Sequence, residues 1–143
     1  MIIFDTDIFS IAQNPGNPEA RTVHSHVIML PPDVQVGTTI ITYDEQTRGW
    51  FQYFAAARTR SEQIKAYAKL FKHLLDWQSA NVFPFDEDAA SVLDQLIALK
   101  LRIGTNDLKI AAIVLSLNGT LITRNVKHYE KIPNLRIEDW TKP

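Results

Sequence analysis

The acidic residues are where this chain can do chemistry. The sequence opens MIIFDTD, so that a run of apolar residues ends directly in Asp5 and, two positions on, Asp7. A carboxylate beside a core is costly to keep charged unless something answers it, which leaves a helix cap, a basic partner or a metal ion. Further candidates are Glu45 in TYDEQ, Asp107 in GTNDLK, and Thr123 with Asn125 in LITRN. Acids gathered in one place repel each other, and a hard divalent cation with oxygen ligands relieves that repulsion. The chain has no cysteine, so thiolate sites are excluded, and the His24-x-His26 pair makes no zinc constellation. Mg2+ or Mn2+ is the cation these acids would suit.

Whether the acids meet depends on the elements that hold them. At 143 residues, 45% hydrophobic and 22% charged, the chain suits one globular domain rather than a disordered segment. A formal charge of −1 argues against a nucleic-acid partner unless the charges are segregated. No apolar run approaches the roughly 18 residues of a membrane span. No basic stretch precedes the short N-terminal one, so neither a signal peptide nor a membrane anchor is expected and the chain reads as cytoplasmic.

Ile2 to Asp5 reads as a short buried strand, with Asp7 as the N-cap of a helix containing Ile8, Phe9, Ile11 and Ala12. After the NPGNP turn, a helix over about 19–29 should stop at Pro31-Pro32. The β-branched stretch Val36 to Ile41 predicts a second strand. Thr42-x-x-Glu45 matches a capping box that starts a helix. Thr59-x-x-Glu62 repeats the signature before a longer helix, whose Ile64, Tyr67, Phe71, Leu74 and Leu75 share a face. Val82 to Phe85 predicts a third strand, at an edge because of Pro84. Asp86 caps the next helix, and Thr105 or Asn106 caps the one that ends at Asn118-Gly119. Leu121 to Thr123 and Leu135 to Ile137 complete the strands. This alternation predicts an α/β domain, with one mostly parallel sheet of four to five short strands flanked by helices.

In an open parallel sheet, ligands sit outside the carboxyl ends of the strands. Asp5 and Asp7 leave the first strand at that edge, and Glu45 opens the helix after the second. Asp107 opens the helix leading into the fourth strand, and Asn125 follows that strand. All five map to one rim. Three of them also have a purely structural reading: a cap for Asp7, half a capping box for Glu45, a favourable helix-dipole charge for Asp107. Asp5 is harder to explain that way, because it ends a strand.

Four motifs in order resemble the PIN-domain ribonucleases, in particular the VapC-like toxins of type II toxin–antitoxin systems. They are FDTD at the end of an apolar strand, EQTRGW from Glu45, IGTNDLKIAA around Asp107, and LITRNVKHYEKIPNLRIEDW near the C-terminus. The resemblance implies a single PIN-like domain over residues 1–143, with Asp5, Glu45 and Asp107 as the catalytic and metal-holding acids and Thr123 in support. It also implies RNA as substrate, and a cognate antitoxin and a homodimer as partners. Asp7 stands where the family usually has Asn, and Asn125 where it often has Asp. We read the exchange as compensation, with Asp7 supplying to the metal, directly or through a water, the charge that Asn125 lacks.

Water activated by a carboxylate-held metal fits acids with no protein nucleophile beside them, and makes phosphodiester hydrolysis the expected reaction. A polyanion needs cations near so acidic a place. Arg48, Arg102, Lys109, Arg124, Lys127 and Lys131 are candidates, although such charges are more often a solvated face. The stretch GWFQYFAAA is apolar nearly all round as a helix, so Trp50, Phe51, Tyr53 or Phe54 is expected at a self-dimer or antitoxin interface. Two other readings stay open. A DxD after a strand also opens the haloacid-dehalogenase-type phosphatases, although Phe9 replaces their usual Thr or Val and no second acidic motif follows. A non-catalytic binding module with the same fold is the other, and Asn125 favours it.

Overall fold

The computed structural model describes residues 1–143. The chain runs β1 (Ile2–Phe4), α1 (Thr6–Ala12), α2 (Pro18–Ile28), β2 (Val36–Thr39), α3 (Ile40–Ala56) and α4 (Arg60–Gln78). It continues through β3 (Val82–Phe83), α5 (Glu87–Ala98), α6 (Thr105–Ser116), β4 (Thr120–Ile122), α7 (Val126–Tyr129) and β5 (Arg136–Glu138). The strands form one sheet in the order β3-β2-β1-β4-β5, and every pairing is parallel.

The apolar strands follow from burial on both faces of that sheet. Ile3 and Leu121 point into a core built with α5 and α6, while Ile2, Phe4 and Ile122 point the other way, onto Ile8, Ile11, Ala20 and Val23 of α1 and α2. Ile110 to Val114 of α6 are all buried, which matches a run that is apolar on every side. Gly37 is required by the sheet itself: a Cβ there would collide with the Asn81 carbonyl and the Phe83 ring.

Two helix starts differ from expectation, and both differences bear on the site. Asp5, not Asp7, is the N-cap of α1, its carboxylate accepting from the Ile8 amide at 2.8 Å. The strand passes into the helix with no intervening loop, so the residue that ends one must cap the other. Likewise β2 stops at Thr39, whose hydroxyl accepts from the Thr42 amide and caps α3 three residues early. Thr42 is fully buried against Thr6, hydroxyl to hydroxyl at 3.1 Å, so it lies inside the helix and makes no capping box with Glu45. Gly104, rather than Thr105 or Asn106, holds the N-cap position of α6 and makes no side-chain cap.

The box at Thr59 and Glu62 forms as its spacing predicts, and Asp86 caps α5. The apolar face read on α4 does not join a core. Ala66, His73 and Trp77 are its buried residues, whereas Ile64, Tyr67, Phe71, Leu74 and Leu75 are exposed. Helical spacing identifies an apolar face without naming what covers it.

Candidate active site

At the carboxyl edge of β1, β2 and β4 the chain encloses a cleft of about 650 Å³. Asp5, Asp7, Glu45, Asp107 and Asn125 all line it, with Thr6, Ser10, Arg124 and Tyr129 completing the wall. The rim predicted from topology is therefore one continuous surface.

Asp5 is the most buried of the acids, only 6% exposed. Burial pushes its carboxyl up to about 6, against the pull of the Ile8 amide and the Thr123 hydroxyl, and with a further push from the charges of Asp7 and Asp107. Thr123 is fully buried, and its oxygen accepts from the Asn125 amide at 3.0 Å, which leaves its own proton free to face Asp5. The strand-terminal threonine thus links the acid of β1 to the turn after β4.

Because α3 begins at Ile40, Glu45 lies in the second turn of the helix and its carboxylate is not taken by a capping role. Burial raises its proton affinity, the charge of Asp107 raises it further, and the Thr6 hydroxyl opposes both. Its neighbour Gln46 anchors that part of α3. The Gln46 amide donates to Ser10 of α1 and to Gln13 just past its end, each at 2.9 Å, and its oxygen accepts from the Trp77 indole of α4 at 3.1 Å.

Asp107 is held by two side chains of α7 that sequence reasoning did not single out. The Tyr129 hydroxyl donates to one carboxylate oxygen at 3.0 Å, and His128 Nε2 lies 3.0 Å from the other. Tyr129 is 1% exposed, and burial together with the Asp107 charge drives its phenol far above the ordinary range, so it remains a donor. The signals in the sequence were their place in the LITRNVKHYEKIPNLRIEDW motif and their position after the fourth strand, at the edge where Asp107 was already expected.

Asp7 has another partner. Its two oxygens accept from Arg124 at 2.6 and 2.9 Å, and the same guanidinium reaches Glu19 of α2 at 3.0 Å. The compensation expectation meets this directly, since the extra carboxylate already has its charge balanced. Arg124 is the one cation among the expected six that lines the cleft. Arg48 pairs along α3 with Asp44 at 2.8 Å, and Arg102, Lys109, Lys127 and Lys131 stand outside the cleft wall.

The aromatic stretch of α3 divides between two faces. Trp50 and Tyr53 turn toward Lys69 and His73, whereas Phe51 lines an apolar groove with Tyr67, Phe71 and Leu74, and Phe54 packs against Tyr67. Phe51 and Tyr53 are exposed, so the four aromatics are not absorbed into the core.

No three of the acids and histidines converge closely enough to hold one ion among them as they stand. The mutual charge effects among Asp5, Glu45 and Asp107 nevertheless place all three within electrostatic reach of each other. That donor set fits Mg2+ or Mn2+: oxygen only, with one or two direct carboxylates and the remaining positions left to water and phosphate.

No family model matches the chain. Ribonuclease VapC1 of Haemophilus influenzae strain R2866 is 31% identical over 125 residues, covering 85% of this chain and 87% of that protein. The chain belongs to the VapC ribonuclease family. Ribonuclease VapC2 of Rickettsia felis is 32% identical over 94 residues, 64% of this chain and 67% of that one. Among solved structures, VapBC-1 from nontypeable Haemophilus influenzae aligns with a TM-score of 0.70 at 30% identity, over 99% of this chain and 100% of its own. VapBC2 from Rickettsia felis, bound to a DNA fragment from its promoter, aligns with a TM-score of 0.72 at 23% identity, over 98% and 99%, a likeness of fold. Membership in the VapC family agrees with the PIN-like sheet and removes the phosphatase reading of the DxD.

Proposed function

We propose that this chain is a metal-dependent endoribonuclease toxin controlled by a cognate antitoxin. The observation that supports it most is Asp5, a buried carboxylate pushed up to about 6 in one cleft with Glu45 and Asp107, in a chain of the VapC ribonuclease family. A buried acid so raised destabilises the protein at neutral pH, and a bound cation would relieve it. Asp5, Glu45 and Asp107 are the residues that would hold Mg2+ or Mn2+. When bound, the ion lowers the pKa of a water and offsets charge developing on the phosphate.

The protein groups supply position and proton transfer. Tyr129 and His128 hold Asp107 in place, and Thr123 steadies Asp5. The raised proton affinity of Asp5 and Glu45 suits one of them to take the water's proton. The water oxygen bonds to phosphorus, the bond to the 3′-oxygen breaks, and that oxygen takes up a proton. Products then have a 5′-phosphate and a 3′-hydroxyl. Arg124, fixed by Asp7 and Glu19 at the rim, is the cation for a substrate phosphate. The groove from Phe51 across Tyr67, Phe71 and Leu74 is the surface for the antitoxin, and a homodimer belongs to the same reading.

The test is cleavage of an end-labelled RNA by purified protein with Mg2+ and with EDTA. Cutting only with the ion, leaving 5′-phosphate ends and lost in each of Asp5→Asn, Glu45→Gln and Asp107→Asn, is the expected result. A cyclic 2′,3′-phosphate would mean attack by the ribose. No cleavage under any divalent ion would leave the non-catalytic module that Asn125 favours.

A further inference from the structure

Beside the catalytic cleft, and sharing Ser10 with it, lies a second cleft of about 660 Å³. Gly49, Trp50 and Tyr53 of α3 form one side, and Lys69 and Lys72 of α4 the other. The chemistry changes across this boundary. The catalytic cleft presents Asp5, Asp7, Glu45 and Asp107 and so attracts a polyanion poorly by itself. A strand of RNA entering it has to be held alongside.

The second cleft offers the means. Trp50 and Tyr53 meet edge to face with ring centroids 5.8 Å apart. Lys69 Nζ stands 4.6 Å from the Tyr53 ring and 6.0 Å from that of Trp50. Lys72 pairs with Asp76 at 2.6 Å, whereas Lys69 is held in no ion pair and stands over the two rings. Two aromatic rings beside a lysine match what single-stranded RNA presents, a π face on each base and a charge on each phosphate.

Gly49 is an independent observation. It lies inside α3, where alanine would serve the helix better. Nothing lies within 4 Å of where its Cβ would be, so packing within the chain does not require glycine. The bare backbone leaves room for a flat group to lie against the helix beside Trp50.

We propose that this cleft is a nucleotide subsite, in which a base of the RNA strand adjoining the cleaved bond lies over Gly49 and stacks on Trp50, its phosphate facing Lys69. The proposal rests on the ribonuclease reading above. A protein partner fits it less well, because the groove lined mostly by hydrophobic residues lies on the other side of α3, where Phe51 faces Tyr67 and Phe71.

The test uses the full chain and a fluorescent 12-nucleotide single-stranded RNA, with anisotropy read in EDTA and steady-state cleavage in Mg2+. Trp50→Ala and Gly49→Ala should each raise Kd and KM by about fivefold or more. Gly49→Ala should do so while raising Tm, since alanine favours the helix. That combination separates a lost subsite from a damaged fold, and it serves if Trp50→Ala does not fold. Unchanged RNA binding and KM in Gly49→Ala would overturn the proposal. Unchanged RNA binding with weaker binding of purified antitoxin would also overturn it, giving the cleft to the protein partner. If the wild type cuts no RNA with any divalent ion, the ribonuclease reading fails, and anisotropy in EDTA still decides the subsite.

Discussion

Asp5→Asn should make the metal-free protein more stable at neutral pH. In the folded chain the carboxyl of Asp5 is raised from 3.8 to about 6, chiefly by burial. A shift of about two units corresponds to roughly 3 kcal/mol. The folded state therefore holds the proton more tightly than the unfolded chain does. The associated stability is fully present below pH 3.8 and is lost as pH rises through about 6. Asparagine resembles the protonated acid at every pH, and it can still accept from the Ile8 amide that Asp5 caps. The variant should gain about 3 kcal/mol in urea unfolding with EDTA at pH 7.5, and almost nothing at pH 3.5. Asp5→Ala also loses the cap, so its gain at pH 7.5 should be smaller by about 1 kcal/mol. A variant Asp5→Asn no more stable than wild type at pH 7.5, or equally favoured at both pH values, would refute the electrostatic reasoning.

Tyr129→Phe removes one hydroxyl from Asp107 and nothing else, so it should raise the Mn2+ Kd about tenfold in calorimetry with little change in Tm. Asp7→Asn should leave the Mn2+ Kd unchanged and raise KM for RNA, because it releases Arg124; weaker Mn2+ binding would restore the compensation expectation. Phe71→Asp, on the exposed face of α4, should raise the Kd for purified antitoxin about 30-fold while Tm stays level.

The order of the elements was legible because strands buried on both faces and amphipathic helices leave different spacings, and that order alone brought residues from 5 to 125 to one rim. The roles at the rim were less so. Thr39 and Thr42 are both acceptable caps by type; Thr39 takes the role, and the Thr42 hydroxyl meets Thr6, a contact 36 positions away that no local pattern encodes. Glu45 lines the cleft from the second turn of α3, where its carboxylate is not taken up by a capping box. Asp7 and Arg124 are 117 positions apart, so no local pattern could pair them. Tyr129 lies 22 positions from Asp107, so nothing local in the sequence tied its hydroxyl to that carboxylate. The apolar face of α4 was legible from its spacing, which does not say whether the cover comes from the same chain.

The shared-cation claim is tested most directly by calorimetric titration of Mn2+ into the wild type and into Asp5→Asn, Glu45→Gln and Asp107→Asn at pH 7.5. One site in the wild type, at least tenfold weaker in each variant, is the result expected of three carboxylates acting on a common ion. Wild-type affinity in any two of the variants would contradict it.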